Sequence, residues 1–208
     1  MEKRSINKQQ WQSCWQEIEK LYSSADRHYH TLTHINMMAK SMERFSTNEA
    51  NPEIICAMIY HDAIYDTRKK DNEERSAELA VKRLAELGLD KSIRETCSTL
   101  ILCTKKHEPI SPQISNELAE LSEFFLDLDL LILGTDPSTY DKYSENIRKE
   151  YAWVPEAEYV MGRSLVLKSF ASRPQIFFTQ EIRNLYEAEA RTNLGREIAF
   201  LASLGEKG

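Results

Sequence analysis

The chain has 208 residues, of which 41% are hydrophobic and 29% are charged, and its net charge is −6 at pH 7. This length is enough to bury one sizeable core, and the composition is typical of a globular protein. Six glycines and six prolines leave little room for the many turns of an all-β fold. The acidic balance argues against a general nucleic-acid-binding protein.

Neither a membrane span nor a signal peptide is predicted. No window of about 18 residues is apolar throughout, as a transmembrane helix requires. The first residues, MEKRS, are not followed by the apolar run of a secretory signal. The spacing of the cysteines matches neither a zinc ribbon nor a redox pair, and Cys56 and Cys97 stand in apolar contexts that favour buried, reduced thiols. The expected location is the cytoplasm, with no membrane partner.

Apolar residues recur at the three- and four-residue spacing of amphipathic helices along most of the chain. The predicted helices cover, in chain order, 11–22, about 30–45, 53–65, 71–87, about 90–106, 115–133, 138–152, 156–171 and 179–203. A loop is predicted over 47–52, with Asn51 as the cap of the third helix and Pro52 as its first residue. Gly88 is predicted to end the fourth helix. No segment alternates like a half-buried strand, so we expect an all-α bundle of about eight or nine helices.

Four polar side chains interrupt the apolar faces of these helices: His34, the adjacent pair His61 and Asp62, and Asp129. His61 lies three residues after Met58 and Asp62 four residues after it, so both fall on the apolar side of their predicted helix. A single histidine on such a face is usually a hydrogen-bonded core residue. Because burying isolated polar groups is costly, four of them together favour a shared metal ion.

Two aspartates compete for the last ligand position. Asp129 lies four residues after Phe125 and three before Ile132, on the apolar face. Asp127 lies four residues after Glu123, on the acidic face. Asp129 is therefore the predicted ligand, whereas Asp127 is expected to be solvated or to support a ligand.

His30 stands one helical turn before His34 on the same face. It is a candidate for a supporting group or for a ligand of a second ion. Imidazole and carboxylate ligands suit Mn²⁺, Mg²⁺, Ni²⁺, Zn²⁺ or Fe²⁺ and do not distinguish among these ions. Metals held by such ligands commonly catalyse hydrolysis.

The order of these residues, H…HD…D on separate helices, resembles that of the HD-domain superfamily of metal-dependent phosphohydrolases. Further segments are similar to one bacterial subgroup of predicted HD phosphohydrolases, and they span most of the chain: RHYHTLTHI (27–35), YHDAIYD (60–66), DNEERSA (71–77), FLDLDLLILG (125–134), IRKEYAWV (147–154) and RPQIF (173–177). The clustered motifs are more specific than the bare pattern, but they carry little information about the substrate.

The resemblance implies an all-α, HD-domain-like bundle with the metal site in its core. It implies one domain over 1–208, in which about 27–133 form the metal-site core and the helices over 138–203 pack on it. It also implies that the metal ligands are His34, His61, Asp62 and Asp129. The expected reaction is attack of a metal-activated water on a small phosphorylated substrate, such as a nucleotide.

Asp62, His30 and His107 are the predicted catalytic residues. The two histidines are the extra imidazoles that a second ion would need, and Asp62 could bridge two ions in a two-metal member of the family. His107 lies four residues after Cys103 and leans to the apolar side. Its place just before 108–109 is equally typical of a residue at a helix end.

A phosphate substrate also needs cationic side chains beside the metal. The candidates are Arg27, Lys105 and Arg148, the last within the IRKEYAWV segment. Lys106 and Arg163 are further candidates, although a single lysine or arginine is more often only solvated.

Two other functions remain open at this point. HD-type folds include diiron oxygenases, and His30 and His107 would be the additional iron ligands. A non-catalytic domain that binds a metal or nucleotide and signals through its surface is the other alternative. The complete ligand set argues against this second alternative, because a degenerate site is expected to have lost a ligand. No oligomeric state is predicted.

Overall fold

The computed structural model describes residues 8–45 and 51–205. Over these residues the chain is helical and contains no strand, which confirms the predicted all-α class. It forms α1 (Lys8–Tyr22), α2 (Leu32–Phe45), α3 (Pro52–Tyr60), α4 (Asn72–Glu86), α5 (Lys91–Cys103), α6 (Asn116–Leu130), a 3-10 turn (Leu131–Gly134), α7 (Pro137–Glu150), α8 (Glu156–Ala171) and α9 (Gln180–Gly205). The MEKRS segment and most of the loop predicted over 47–52 lie outside the described residues.

The predicted start of α3 at Asn51 and the predicted end of α4 at Gly88 are confirmed. The Asn51 side chain accepts hydrogen bonds from the backbone N–H groups of Glu53 and Ile54, at 3.0 and 3.1 Å, and thereby caps α3. Gly88 has a φ of +79°, which glycine adopts without strain. The N–H of Leu89 then donates to the carbonyl of Leu84 at 3.0 Å, so the end of α4 is closed by a Schellman-type turn.

The prediction that the third helix runs to residue 65 is wrong. α3 ends at Tyr60, and His61 is its C-terminal cap, with its N–H still bonded to the Ala57 carbonyl at 2.8 Å. The chain then turns, because the N–H of Ala63 donates to the Tyr60 carbonyl at 3.0 Å. The Ser76 hydroxyl accepts from the N–H of Ile64 at 3.0 Å and secures this turn against α4. The His61–Asp62 pair therefore lies where the chain leaves the helix.

The chain divides into two compact units, Met1–Leu126 and Asp127–Gly208. In the first unit, α4 packs on α5, both pack on α3, and α3 also contacts α2. Met58, Leu84 and Leu100 are at most 3% exposed within this unit. Burying each of these side chains contributes about 1.5–3 kcal/mol of hydrophobic free energy. That the whole chain forms one domain stays a prediction.

In the second unit, α8 packs on α9, and the 3-10 turn also packs on α9. The Asn193 side-chain amide donates to the carbonyls of Leu133 and Thr135 at 3.0 and 2.8 Å, which ties the turn to α9. Gly134 allows the close approach, because a Cβ at this position would lie 2.6 Å from the Cβ of Tyr186.

A buried ionic cluster stabilises the second unit further. The Glu197 carboxylate accepts from Arg163 Nε at 2.8 Å and from the Tyr140 hydroxyl at 2.5 Å. The side chains of Arg163 and Glu197 are only 9% and 5% exposed. A buried ion pair is stable only when close hydrogen bonds satisfy both charges, because the free-energy cost of desolvation would otherwise exceed the Coulombic gain.

Cys56, Cys97 and Cys103 are buried and Cys14 is partly buried, and all four are free thiols. Burial raises the pKa of Cys56 to about 11, so this thiol stays protonated near neutral pH. The predicted burial of Cys56 and Cys97 is thus confirmed. No helix among the described residues is long and apolar enough to cross a membrane.

Candidate metal site

His34 and His61 converge although 27 positions separate them in the sequence. His34 is carried by α2 and His61 by the C-terminal end of α3, and each is 2% exposed. Their Nε2 atoms lie 3.2 Å apart. Two buried histidines thus direct the same ring atom at one point.

A backbone carbonyl determines which nitrogen of His61 carries the proton. Nδ1 of His61 lies 3.0 Å from the carbonyl oxygen of Met58. A carbonyl can only accept a hydrogen bond, so Nδ1 is the donor and carries a proton. In the neutral ring, Nε2 then presents its lone pair to the point that it shares with His34. Metal-binding histidines are oriented in this way, by a hydrogen bond from the other ring nitrogen.

The Tyr29 hydroxyl gives His34 a similar anchor. Its oxygen lies 3.1 Å from Nδ1 of His34. A hydroxyl can donate or accept, so this contact is compatible with either tautomer of His34. The ring of His34 is therefore held in place while its Nε2 faces His61.

Asp62 brings a carboxylate to the same nitrogen. Its Oδ2 lies 2.9 Å from Nε2 of His61, and its side chain is 20% exposed. A lone pair on Nε2 of His61 would repel the Asp62 carboxylate at this distance unless a cation lay between them. That cation is either a second proton on the imidazole or a metal ion.

The spacing of the two imidazoles suits a shared metal ion. Asp129 lies in the last turn of α6 and belongs to the second unit, so its ligation of that ion stays a prediction. Two imidazole nitrogens that bind one ion at about 2.1 Å lie about 3.0–3.4 Å apart in octahedral or tetrahedral geometry. The 3.2 Å between the two Nε2 atoms fits that range. Ligation by Asp62 stays a prediction.

His30 faces Asp62 from the segment before α2. Its Nε2 lies 4.0 Å from Oδ2 of Asp62, and its side chain is 20% exposed. The ring of His30 stacks on that of Tyr65 with centroids 4.3 Å apart and an angle of 31°. The predicted catalytic residues His30 and Asp62 are thus neighbours, and both remain partly accessible to solvent.

Arg27 is buried under the same segment. The guanidinium donates to the backbone carbonyls of His30, Asp62 and Ala63, at 3.0, 2.6 and 2.9 Å. The side chain of this predicted phosphate-binding residue is therefore engaged with the backbone. Its contact with a substrate stays a prediction.

Two further predicted phosphate-binding cations, Lys105 and Arg148, make local contacts. Lys105 donates to the Lys70 carbonyl at 3.0 Å and pairs with Glu74, so it joins the loop before α4 to the residues after α5. The hydrogen bond to Glu74 raises the pKa of Lys105. Arg148, in the second unit, donates to the carbonyls of Tyr151 and Val154 at 2.7 and 3.3 Å. Phosphate binding by either residue stays a prediction.

His107 lies just beyond the end of α5, as one of its two interpretations expected. Its φ is +49°, and the N–H of Glu108 bonds to the carbonyl of Cys103 at 3.3 Å. His107 therefore takes the left-handed position that glycine often occupies after a helix. Its predicted catalytic role is neither supported nor contradicted by this placement.

The prediction that Asp127 is solvated is wrong, because Asp127 is fully buried. Its carboxylate accepts from the backbone N–H groups of Phe178 and Thr179, each at 2.7 Å, and from the Thr179 hydroxyl at 2.6 Å. These groups immediately precede α9, so Asp127 acts as a cap supplied by a distant helix. Spacing along α6 assigns a face to Asp127, but it cannot reveal which other segment covers that face.

Sequence reasoning also missed the supporting groups Tyr29 and Tyr65. The only signal was their position, since Tyr29 lies inside the RHYH run and Tyr65 follows the His61–Asp62 pair within YHDAIYD. Comparison of the chain with family profiles, curated proteins and solved structures found no match. The HD-type family assignment thus rests on the motif residues alone and stays a prediction.

Proposed function

We propose that this chain is an HD-type, metal-dependent phosphohydrolase that acts on a small phosphate ester or a nucleotide. The observation that supports this proposal best is the convergence of three side chains on one point. Nε2 of His34 lies 3.2 Å from Nε2 of His61, and Oδ2 of Asp62 lies 2.9 Å from the same nitrogen. When the proton of His34 is on Nδ1, as it is on His61, each of these three atoms offers a lone pair, and such a set suits a divalent cation. The proposed ligands are His34, His61, Asp62 and Asp129, and the proposed ions are Mn²⁺, Mg²⁺, Ni²⁺, Zn²⁺ or Fe²⁺.

When bound, such an ion would supply an acidified water and neutralise the charge of the phosphoryl group. The residues around the proposed ligands have separate tasks. The Met58 carbonyl holds the proton of His61 on Nδ1, and Tyr29 orients His34. Both contacts keep the two Nε2 atoms directed at the proposed ion.

Asp62 and His30 are the proposed groups for proton transfer. They lie 4.0 Å apart, and each side chain is 20% exposed, so water and a small substrate can reach them. A carboxylate and an imidazole in hydrogen-bond reach of a water are suitable general bases. His107 is a third proposed catalytic residue, because its imidazole can accept and donate a proton near neutral pH.

The proposal is tested by phosphate release from purified protein that has been stripped of metal. Separate samples are loaded with Mn²⁺, Mg²⁺, Ni²⁺, Co²⁺, Zn²⁺ or Fe²⁺ and screened against nucleotides and sugar phosphates. His61→Ala and Asp62→Asn should lower any activity by about 100-fold or more. His28→Ala, which changes an exposed histidine of the same segment, is the matched control. A protein that binds metal but releases phosphate from no substrate would refute the proposal.

The two alternative functions predict different results. A diiron oxygenase would bind two iron ions, absorb visible light and consume oxygen. The observation that favours this alternative is the 4.0 Å between Nε2 of His30 and Oδ2 of Asp62, because the two side chains could share a second ion. A regulatory domain would bind a metal or a nucleotide without turnover, and its cellular effect would survive the change Asp62→Ala.

A further inference from the structure

Arg27 joins the two backbone segments that carry His30 and Asp62. It precedes α2 and is 7% exposed. One nitrogen of its guanidinium donates both to the carbonyl of His30 at 3.0 Å and to that of Asp62 at 2.6 Å. The other terminal nitrogen donates to the carbonyl of Ala63 at 2.9 Å. A single cation thus joins its own segment to a turn that lies 35 residues further along the chain.

Aromatic rings stabilise the buried charge. The guanidinium carbon lies 4.8 Å from the centroid of the Tyr22 ring and 5.3 Å from that of Tyr65. Cation–π contacts of this kind are stronger when the cation is shielded from water, as the guanidinium of Arg27 is here. The Tyr65 ring also stacks on His30. Arg27 therefore contacts the backbone and one of the rings that determine where His30 lies.

We propose that Arg27 is a positioning residue that locks the His61–Asp62 turn to the His30 segment. This inference rests on the proposed function, because the geometry that it maintains is that of the candidate metal site. The planar fork of arginine reaches three carbonyl oxygens at once. The single ammonium group of a lysine cannot reproduce that pattern. Without the bridge, the carboxylate of Asp62 is expected to move away from His61 and His30.

The test compares Arg27→Lys and Arg27→Gln with Arg83→Lys and Arg83→Gln. Arg83 is the matched control, because it is a partly buried arginine of the first unit that bonds to Glu17 and Glu86 instead of the turn. Three quantities are measured in each variant: the melting temperature, the Mn²⁺ affinity by calorimetry, and the hydrogen exchange of the Ala63 amide. That amide bonds to the Tyr60 carbonyl within the turn.

Arg27→Lys should weaken Mn²⁺ binding by about 10-fold or more, in the range seen when groups that support metal ligands are removed. It should also speed exchange of the Ala63 amide. Arg83→Lys should lower the melting temperature but leave both other quantities unchanged. Unchanged Mn²⁺ affinity in Arg27→Lys, or an equal loss in Arg83→Lys, would overturn the positioning role.

Two further measurements test the role of Arg27 if its variants unfold or if the protein binds no metal. If both Arg27 variants unfold, Arg27→Gly is refolded with millimolar guanidinium chloride, and with urea and NaCl as controls. Guanidinium should restore folding and Mn²⁺ affinity, and failure to restore them would refute the role. If the wild-type protein binds no metal, the proposed function fails. The exchange of the Ala63 amide in Arg27→Lys against Arg83→Lys then still decides whether Arg27 orders the turn.

Discussion

The Nε2 atoms of His34 and His61 lie 3.2 Å apart, and the proton of His61 is held on the opposite ring nitrogen by the Met58 carbonyl. Neither residue is more than 2% exposed, so water cannot easily separate the two rings. Two imidazoles that face each other in a buried position gain most from a cation between them. Metal binding should therefore stabilise the folded protein.

Mn²⁺ at about 100 times its dissociation constant should stabilise the native state by about 2.7 kcal/mol. For a chain of this size, that corresponds to a rise of roughly 5–10 °C in the melting temperature. His61→Ala should abolish the rise, whereas His28→Ala should keep it. Thermal unfolding followed by circular dichroism, with and without Mn²⁺, provides the measurement. An equal rise in His61→Ala would place the ion elsewhere.

Asp127→Asn should destabilise the second unit by roughly 2–3 kcal/mol. The substitution removes the negative charge and replaces one acceptor oxygen by an NH2 group, so at least one of the N–H groups of Phe178 and Thr179 is left unsatisfied. Urea denaturation gives the free energy of unfolding. Asp136→Asn is the matched control, because Asp136 caps α7 in the same way but is exposed to solvent. Asp136→Asn should lower the free energy of unfolding by less than Asp127→Asn does. The reverse order would contradict the role of the buried cap.

Gly134→Ala and Gly162→Ala should change stability in opposite directions. A Cβ at Gly134 would lie 2.6 Å from the Cβ of Tyr186, and overpacking of this kind costs about 1–3 kcal/mol. A Cβ at Gly162 meets nothing within 4 Å in α8, so alanine there should stabilise the helix by about 0.4–1 kcal/mol. Chemical denaturation of the two variants is the measurement, and a stabilising Gly134→Ala would refute the close approach.

The second unit should lose stability in acid through Glu197. Burial alone would raise the pKa of Glu197, but its hydrogen bonds and charge contact with Arg163, with a further bond from Tyr140, lower it below the ordinary value of 4.5. A carboxyl group with a lowered pKa contributes stability that is complete above its unfolded pKa. That contribution is lost as the pH falls through the folded pKa. The free energy of unfolding should therefore decrease as the pH is lowered below about 4.5.

Glu197→Gln should flatten this dependence below pH 4.5 and lower stability at pH 7. The loss at pH 7 should be about 3–5 kcal/mol, because Arg163 is left as a buried charge without its carboxylate. Glu145→Gln is the control, since Glu145 pairs with Lys142 at the surface and is 62% exposed. Urea denaturation at several pH values measures both effects. An unchanged pH profile in Glu197→Gln would show that another group is responsible.

The sequence alone determined the helical class and most helix boundaries. Apolar spacing and capping residues act over a few positions, so Asn51 and Gly88 could be assigned without knowledge of any distant contact. The same local spacing selected His34, His61 and Asp129, because polar residues on an apolar face must find partners. The 3.2 Å between the Nε2 atoms of His34 and His61 agrees with the selection of these two histidines.

Only the tertiary structure decided which partners these and other polar groups have. Asp127 caps α9 from another helix, and Arg27 donates to the carbonyl of Asp62, 35 residues away in the sequence. Spacing along a helix could identify neither contact. It also could not show that α3 ends at Tyr60, because the hydroxyl that holds the following turn belongs to Ser76. Periodicity describes the face of one helix, whereas burial and hydrogen bonding depend on the segment that folds against that face.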